Sequence, residues 1–306
     1  MDFIAAYRRL EEGELRRRVA AAYRRLKSCD TCPRECEVNR LKNERGICRS
    51  GRDVVVSSYG PHFGEEAPLV GDLGSGTIFF ANCTLNCVFC QNYELSHLGE
   101  GEVVTIGRLA QMMLTLEMMG CHNINLVSPT HFVPQILAAL LRAAKEGLNL
   151  PLVYNSSGYE SLETLRLLDG IVDIYMPDFK YTDPDAAARY SGVGDYPAVV
   201  KEALKEMQRQ VGDLTFDERG IAARGLLVRH LVLPENLSGT EEAMKFLARE
   251  VSPRCFVNVM AQYYPAYRSR EFPPLNRRLT AAEYRDAVFI AQMQGLRVYT
   301  GNQELL

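Results

Sequence analysis

The sequence lacks a long apolar segment and an excess of charge of either sign. No run reaches the ~18 consecutive apolar residues of a membrane-spanning helix, and the N-terminus, MDFIAAYRRLEEGELRRRVAAAYRRL, has no apolar stretch of signal-peptide length. The formal net charge of the 306 residues is only -3, so no overall field draws the chain to nucleic acid or lipid. We therefore expect a cytoplasmic protein without a membrane or nucleic acid partner.

Cysteine is present nine times, an odd number that does not suit a framework of paired disulfides. Two of the nine, Cys121 and Cys255, open apolar strands and are predicted to be small core residues. The other seven form two tight clusters, Cys29, Cys32, Cys36 and Cys48 in the first and Cys83, Cys87 and Cys90 in the second.

The pattern of the chain after residue 76 predicts an α/β fold, a partial (β/α)6 TIM-like barrel. Strand patterns alternate there with helix patterns of about ten or more residues, which is typical of parallel strands joined by right-handed crossovers. The predicted strands are 77–81, 123–127, 151–157, 171–179, 225–234 and 255–264, with a short last strand at 296–300. The predicted helices are 106–119, 133–145, 161–169, 197–210, 240–250 and 280–294.

The N-terminal part is predicted to be a separate unit, residues 1–52, followed by the barrel domain, residues 53–306. It begins with a helix over 2–27 that has one apolar stripe, and it ends with the four-cysteine segment. Residues 59–76 contain Gly and Pro and are predicted to be an ordered loop.

The second cysteine cluster lies in FFANCTLNCVFCQNYE, directly after the first predicted strand of the barrel. Three thiols can hold an iron-sulfur cluster and leave one iron open, whereas four would close the site. The alternative is a zinc site with His97 as the fourth ligand. Active sites of such barrels lie at the C-terminal ends of the strands, and this position favours catalysis.

The spacing of Cys83, Cys87 and Cys90, with Phe89 before the last, resembles the signature of the radical S-adenosylmethionine (SAM) superfamily. From about residue 75 to 300 the chain resembles the pyruvate formate-lyase activating enzyme group, especially uncharacterised homologues with an extra N-terminal cysteine segment. The resemblance implies a 4Fe-4S cluster on the three cysteines, with SAM on the open iron. One electron then cleaves SAM to a 5'-deoxyadenosyl radical that abstracts hydrogen, and a flavodoxin or ferredoxin supplies the electron.

Residues at later strand ends are candidates for holding SAM. Asp178 and Lys180, two positions apart, project to the same side of a strand. The resemblance implies that Lys180 pairs with the SAM carboxylate and Asp178 with its amino end. Arg229, in an apolar strand, needs an anion, either that carboxylate or an Asp or Glu of the chain. Asn155 and Ser157 are candidate ribose contacts by the same resemblance.

Two strand ends depart from the activating-enzyme pattern. The second strand ends in SPTH rather than in Gly-Gly-Glu, so we expect Ser128 or Thr130 to contact the SAM amino group and His131 to face the substrate. On the sixth strand the activating enzyme has a histidine, whereas this chain offers Gln262 and Tyr263 as substrate contacts. The departures concern the substrate rather than SAM cleavage.

The first cysteine cluster has the spacing C-x2-C-x3-C-x11-C, from Cys29 to Cys48, and supplies enough thiols to close a site. Structural zinc and a second iron-sulfur cluster both fit this donor set. Either metal would stabilise a segment that is too short for a core of its own.

The leading functional hypothesis is an oxidoreductase that abstracts hydrogen from a protein or peptide, such as a glycine of a glycyl-radical enzyme. One alternative is hydrogen abstraction from a small molecule. Another is a zinc-stabilised binding module without SAM chemistry, whose basic N-terminal helix would dock on nucleic acid; the near-neutral charge disfavours it.

Overall fold

The computed structural model describes residues 3–301. In this part of the chain ten strands form one sheet, with helices packed around it. The strands are β1 (Val54–His62), β2 (Ser75–Phe80), β3 (Glu102–Val104), β4 (Ile124–Val127), β5 (Leu152–Ser156), β6 (Ile174–Pro177), β7 (Thr215–Phe216), β8 (Ala222–Leu231), β9 (Phe256–Met260) and β10 (Arg297–Tyr299). The α-helices are α1 (Glu14–Arg25), α2 (Ala67–Val70), α3 (Tyr93–Ser96), α4 (Ile106–Met118), α5 (Val133–Lys145), α6 (Leu162–Leu168), α7 (Pro184–Ser191), α8 (Tyr196–Val211), α9 (Thr240–Phe246) and α10 (Ala281–Met293).

The sheet confirms the predicted partial barrel. Its strand order is β10-β9-β8-β6-β5-β4-β2-β1-β3, and every neighbouring pair from β2 to β10 along this path is parallel. Strands β1, β3 and β7 join by antiparallel pairing. Within residues 3–301 no pairing joins β10 to β1 or β3, so the barrel is open on that side.

Strand β1 corrects the prediction of a loop from residue 59, because the strand continues to His62. The break was expected at Gly60 and Pro61, yet Pro61 pairs with Gly76 of β2. Strand β3 covers only Val54 to Val56, so the later part of β1 is an edge on its other side. A proline is tolerated on such an edge because its missing N–H is not needed there.

The N-terminal helix is shorter than the predicted 2–27, whose first residue lies outside the described part of the chain. A single 3-10 turn at Ala6–Arg9 precedes α1, and the two are separated at Gly13, which has φ 82. A left-handed residue ends one helical run and starts another, which explains the break. The apolar stripe of α1 buries Leu15 and Ala22 and packs the helix on α5.

Helix α7 was not predicted, and it matters because it brings Ser191 to the strand ends. Pro184 occupies its first turn and Gly192, with φ 70, ends it. A proline inside the start and a glycine just past the end are ordinary helix boundaries. The helix is short and alanine-rich, so its apolar periodicity gave little signal.

None of the helices between residues 3 and 301 is both long and apolar enough to cross a membrane.

Candidate active site

The cysteine loop, residues 81–92, connects β2 to α3 and carries the three clustered thiols at the C-terminal end of the sheet. Asn82, with φ 70, turns the chain directly after the strand. Cys83, Cys87 and Cys90 then line a cavity of about 350 Å³. All nine cysteines lie in the described part of the chain, and only these three line this cavity.

Each sulfur atom of the cysteine loop has a hydrogen-bonding partner. The backbone N–H of Leu85 donates to Cys83 Sγ at 3.4 Å. The Sγ of Cys87 lies 3.0 Å from Ser191 Oγ, and the Sγ of Cys90 lies 3.0 Å from the Oγ of Ser96.

The thiols of the loop are close to one another; Cys87 is buried, and Cys83 and Cys90 are partly buried. Burial, followed by the neighbouring Cys87, raises the pKa of Cys83 to about 12. Burial likewise raises the pKa of Cys87 to about 11, although the Lys180 ammonium acts in the opposite direction. Because iron binds thiolates, cluster assembly on this loop must release protons.

Polar residues from the strand ends line the same cavity as the three thiols. Among them are Ser128 after β4, Asn155 in β5, Ser157 after β5, Asp178 and Lys180 after β6, Arg229 in β8 and Gln262 after β9. Parallel strands end at one edge of the barrel, which explains how residues so distant in sequence meet here.

Asp178 is the centre of an ion-pair network in the cavity wall. Its Oδ2 lies 2.6 Å from Lys180 Nζ, and its Oδ1 lies 3.0 Å from Arg229 Nε. The guanidinium of Arg229 also donates to Asn155 Oδ1 at 3.0 Å and lies 3.5 Å from Glu65 Oε2. Of the two anions considered for Arg229, the structure shows the internal one, and Asp178 also pairs with Lys180, the residue predicted to bind the SAM carboxylate.

Charge pairing outweighs burial throughout this network. Burial alone would raise the pKa of Asp178, but the charges of Lys180 and Arg229 hold that pKa below its usual value. Burial would lower the pKa of Lys180, yet Asp178 holds it above the usual value. All three side chains therefore stay ionised at neutral pH and carry fixed charges at the edge of the cavity.

Three of the predicted contact residues, Thr130, His131 and Tyr263, do not line the cavity. Ser128, with φ 58, turns the chain, and the following 3-10 turn buries Thr130 and His131. Thr130 donates to Glu160 Oε1 at 2.6 Å, while His131 Nε2 lies 2.9 Å from the carbonyl oxygen of Ala81. Burial lowers the pKa of His131 to about 3, so this imidazole is neutral.

Tyr263 is also buried behind the wall, where its hydroxyl donates to Leu275 O at 2.5 Å. Its neighbour Gln262 is exposed and lines the cavity.

Sequence reasoning missed His62 and Glu65, which line the cavity from the end of β1 and the connection to β2. Their side chains lie 3.3 Å apart, and Glu65 links this pair to Arg229. The string HFGEE, with one histidine and two adjacent glutamates, was the available signal. The string lies within residues 59–76, which the sequence predicts to be a loop rather than part of a site.

A second cavity of about 660 Å³ lies beside the first, on the open side of the barrel. The two cavities share Glu65, Arg229 and Gln262. The connection between β1 and β2 reaches across the opening, because Asn258 of β9 donates to Glu66 Oε1 at 2.7 Å and Ala67 N–H donates to the Tyr299 hydroxyl of β10 at 3.1 Å.

The four cysteines of the N-terminal cysteine segment, residues 29–51, lie together but do not line either cavity. Burial raises the pKa of Cys32, and the charges of Cys48, Cys29 and Cys36 raise it further. Within residues 3–301, no three His, Cys, Asp or Glu side chains are gathered closely enough to hold a single metal ion. His97, the alternative fourth ligand for zinc, has its Nε2 3.0 Å from Cys87 O.

Comparison with known proteins identifies the family. The radical SAM superfamily matches residues 77–247, more than half of the chain. An uncharacterised protein of Methanocaldococcus jannaschii is 32% identical over 277 residues, which cover 89% of this chain and 76% of the relative. The chain therefore belongs to the radical SAM superfamily.

Solved structures share the fold. The chain is similar to Streptococcus suis SuiB bound to its precursor peptide SuiA, with a TM-score of 0.50 and 13% identity. The match covers 73% of this chain but only 47% of SuiB, so the chain spans about half the length of that structure. A domain of a pyruvate-formate lyase-activating enzyme from Bacteroides vulgatus matches with a TM-score of 0.41 and 12% identity, over 56% of this chain and 92% of that domain.

Membership in the superfamily supports an enzyme that cleaves SAM reductively at a 4Fe-4S cluster, and it disfavours the zinc-stabilised binding module. The donor set around the first cavity fits these cofactors. It supplies three sulfur atoms without a fourth, and it adds charged groups of both signs for the amino and carboxylate ends of SAM.

Proposed function

We propose that this protein abstracts a hydrogen atom from a protein or peptide substrate, as glycyl-radical-enzyme activases do. The observation that carries the proposal is the convergence of Cys83, Cys87 and Cys90 with Asp178 and Arg229 on one cavity wall. Three thiols beside fixed charges of both signs suit a zwitterionic ligand such as SAM on an incomplete cluster.

The chain's own residues would bind the cluster and would bind and orient SAM. Cys83, Cys87 and Cys90 would hold the 4Fe-4S cluster, which supplies the electron that cleaves SAM to a 5'-deoxyadenosyl radical. Lys180 and Arg229 are placed to exchange part of their pairing with Asp178 for the SAM carboxylate, and Asp178 is then free to accept from the amino group. Ser128 and Ser157 add hydroxyls to the same wall, and Asn155 adds an amide.

The second cavity supports a large substrate. It is open to solvent and joins the first cavity at Gln262, which makes this residue our candidate substrate contact. A segment of a protein chain can enter from this side without passing through the sheet. SuiB, which shares the fold, was solved with a precursor peptide, and this agrees with the proposal.

The proposed substrate is tested by following deuterium. The reconstituted enzyme would be incubated anaerobically with SAM, a reductant and a glycyl-radical enzyme that contains deuterated glycine. Deuterium in 5'-deoxyadenosine would support the protein substrate. Deuterium acquired instead from labelled small molecules would favour the small-molecule alternative. Absence of 5'-deoxyadenosine under every condition would refute radical SAM activity of this chain.

We further propose that residues 1–52 form a metal-stabilised unit on the barrel domain, with Cys29, Cys32, Cys36 and Cys48 as ligands. The effect of Cys48, Cys29 and Cys36 on the pKa of Cys32 supports their proximity. Gly46 leaves room for such a site, because a Cβ there would lie 2.7 Å from Cys36 Sγ.

Elemental analysis distinguishes the two metals. Zinc that is lost in a Cys32→Ala variant would indicate a structural site, and iron and sulfide that are lost would indicate a second cluster. An unchanged content of both elements would refute metal binding by these residues.

A flavodoxin or ferredoxin remains our proposed electron donor. Reduction of the reconstituted enzyme by either protein, followed by absorbance, tests this part of the proposal. If neither protein reduces the enzyme while dithionite does, a different donor is required.

A further inference from the structure

We propose that the N-terminal cysteine segment sets the reduction potential of the cluster on the cysteine loop. It acts through Arg34 and Arg49, which fix the positions of the two serines that hydrogen-bond the cluster ligands. This inference rests on the proposed function, since it takes Cys83, Cys87 and Cys90 to hold that cluster.

The two serines are the groups that touch the cluster ligands. Ser191 is fully buried, and its Oγ lies 3.0 Å from Cys87 Sγ and 2.9 Å from the Tyr181 hydroxyl. The hydroxyl of Ser96, also buried, lies 3.0 Å from the sulfur atom of Cys90. A cysteine that ligates iron has no proton, so each serine must donate, and Tyr181 in turn donates to Ser191.

These hydrogen bonds favour the reduced cluster. Reduction adds a negative charge that is shared with the ligand sulfur atoms, and donors to those atoms stabilise it. The effect is strong where water is excluded, because the local dielectric is low. Loss of a donor should therefore make the potential more negative.

Arg34 connects the N-terminal cysteine segment to Ser191. Its Nε donates to Thr84 O at 3.0 Å, and one of its terminal nitrogens donates to Gly192 O at 2.9 Å. Thr84 lies in the cysteine loop, and Gly192 directly follows Ser191. The guanidinium therefore adds to two backbone bonds between the loop and the end of α7, from Asn86 N–H to Ser191 O at 3.1 Å and from Val88 N–H to Tyr190 O at 2.9 Å, and together they fix the position of Ser191 beside Cys87.

Arg49 makes the corresponding connection to Ser96. One of its terminal nitrogens donates to Ser96 O at 2.6 Å, and the other donates to His97 O. Next to it, Ser50 Oγ accepts from Asn82 Nδ2 at 3.2 Å, at the start of the cysteine loop. The N-terminal cysteine segment therefore hydrogen-bonds both to the start of the cysteine loop and to α3, which follows the loop, and the bonded groups do not bind iron.

The positions of both arginines depend on the fold of the segment. Arg49 itself has φ 57, and Glu35, beside Arg34, has φ 40. Such left-handed residues are held only when the surrounding structure fixes them. The backbone of the segment does so, because Glu35 N–H donates to Cys32 O at 3.1 Å and Arg49 N–H donates to Gly46 O at 2.9 Å.

The test is a redox titration of the reconstituted full-length protein, followed by electron paramagnetic resonance. We expect a more negative midpoint potential in Ser191→Ala and in Ser96→Ala. A tenfold fall in the equilibrium constant for reduction corresponds to about 59 mV for one electron. Ser75→Ala is the matched control, because Ser75 is equally buried and bonds Asn123 Oδ1 at 2.7 Å at the opposite end of β2.

Arg34→Gln distinguishes positioning from general loosening. It should shift the potential in the same direction as Ser191→Ala, and it should add nothing when Ser191 is already Ala, since residues that act through one contact are not additive. If Arg34→Gln does not load iron, Arg34→Lys takes its place, with an intermediate potential expected. Arg49→Gln has the corresponding relation to Ser96.

Unchanged potentials in both serine variants, or full additivity of Arg34→Gln and Ser191→Ala, would overturn the inference. A wild-type protein without a cluster on the three cysteines would instead overturn the proposed function.

Discussion

The N-terminal cysteine segment carries four thiols and the cysteine loop carries three, and the two regions differ most in what surrounds the sulfur atoms. The loop thiols face a cavity with Lys180, Asp178 and Arg229 on its walls. The thiols of the N-terminal cysteine segment line neither cavity. In the same segment, Arg40 donates hydrogen bonds to the backbone carbonyl oxygens of Gly51 and His131. Burial, charge and access therefore distinguish the two groups of thiols more clearly than the count of cysteines does.

The largest expected effect comes from removing the thiols of the cysteine loop. The combined change Cys83→Ala, Cys87→Ala and Cys90→Ala should abolish both cluster iron and 5'-deoxyadenosine formation, because no other cysteine lines the cavity. Cys255→Ala, at a buried core cysteine, is the control and should retain both. Iron that remains at the wild-type level in the triple variant would break the comparison between the two regions.

Asp178→Asn should have the next largest effect. The change leaves the buried charges of Lys180 and Arg229 without their shared partner, at a cost of about 3–5 kcal/mol in the free energy of unfolding. Urea denaturation measures this cost. The matched control is Glu241→Gln at the exposed pair with Lys245, where we expect a much smaller cost because solvent screens the pair. Equal costs at the two sites would show that the cavity network is not held by charge.

Glu160→Gln sharpens the comparison by testing a buried carboxylate that lies outside both groups of thiols. Burial raises the pKa of Glu160 from 4.5 to about 7, although Thr130 and Tyr154 donate to this carboxylate. The folded state therefore keeps the proton to higher pH than the unfolded state does. The contribution of Glu160 to the free energy of unfolding is fully present below about pH 4.5 and is lost as the pH rises through about 7.

The expected loss is on the order of 3 kcal/mol for the wild type relative to Glu160→Gln, from 1.36 kcal/mol per pKa unit. Denaturation of both proteins across this pH range measures it. A constant difference between them would show that folding does not shift the pKa of Glu160.

The smallest expected effects come from Gln262 and Tyr263, adjacent residues on opposite sides of the cavity wall. Tyr263→Phe should cost about 1 kcal/mol of stability through its lost bond to Leu275 O and leave the KM of the substrate unchanged. Gln262→Ala should raise the KM with little change in stability, because the side chain is exposed. The reverse result would place Tyr263 at the substrate.

Local spacing in the sequence was sufficient to predict which residues lie at the same edge of the barrel. The three cysteines follow one strand and the Asp178–Lys180 pair follows another, so strand periodicity and fold class together place them at one edge of the barrel. The same logic failed at Thr130 and His131, where proximity to a strand end was taken as proximity to the cavity. The left-handed Ser128 redirects the chain, and no spacing rule anticipates that turn.

Residues that meet only through tertiary packing were beyond prediction. Glu65 approaches Arg229 across the open side of the barrel, and Ser191 approaches Cys87 from the end of α7. HFGEE marks Glu65 as a candidate site residue, but the sequence does not show which residue either Glu65 or Ser191 contacts, because this depends on how a connection or a helix packs.

The two walls beside the open side of the barrel differ in how well they tolerate changes of sequence. The wall that faces the cofactors is made of paired strands, so a shifted residue there disturbs a ladder of backbone hydrogen bonds. The opposite wall is a connection fastened by Asn258 and Tyr299. Insertions in that connection leave the ladder untouched, so selection can reshape what the protein accepts while the radical chemistry stays fixed.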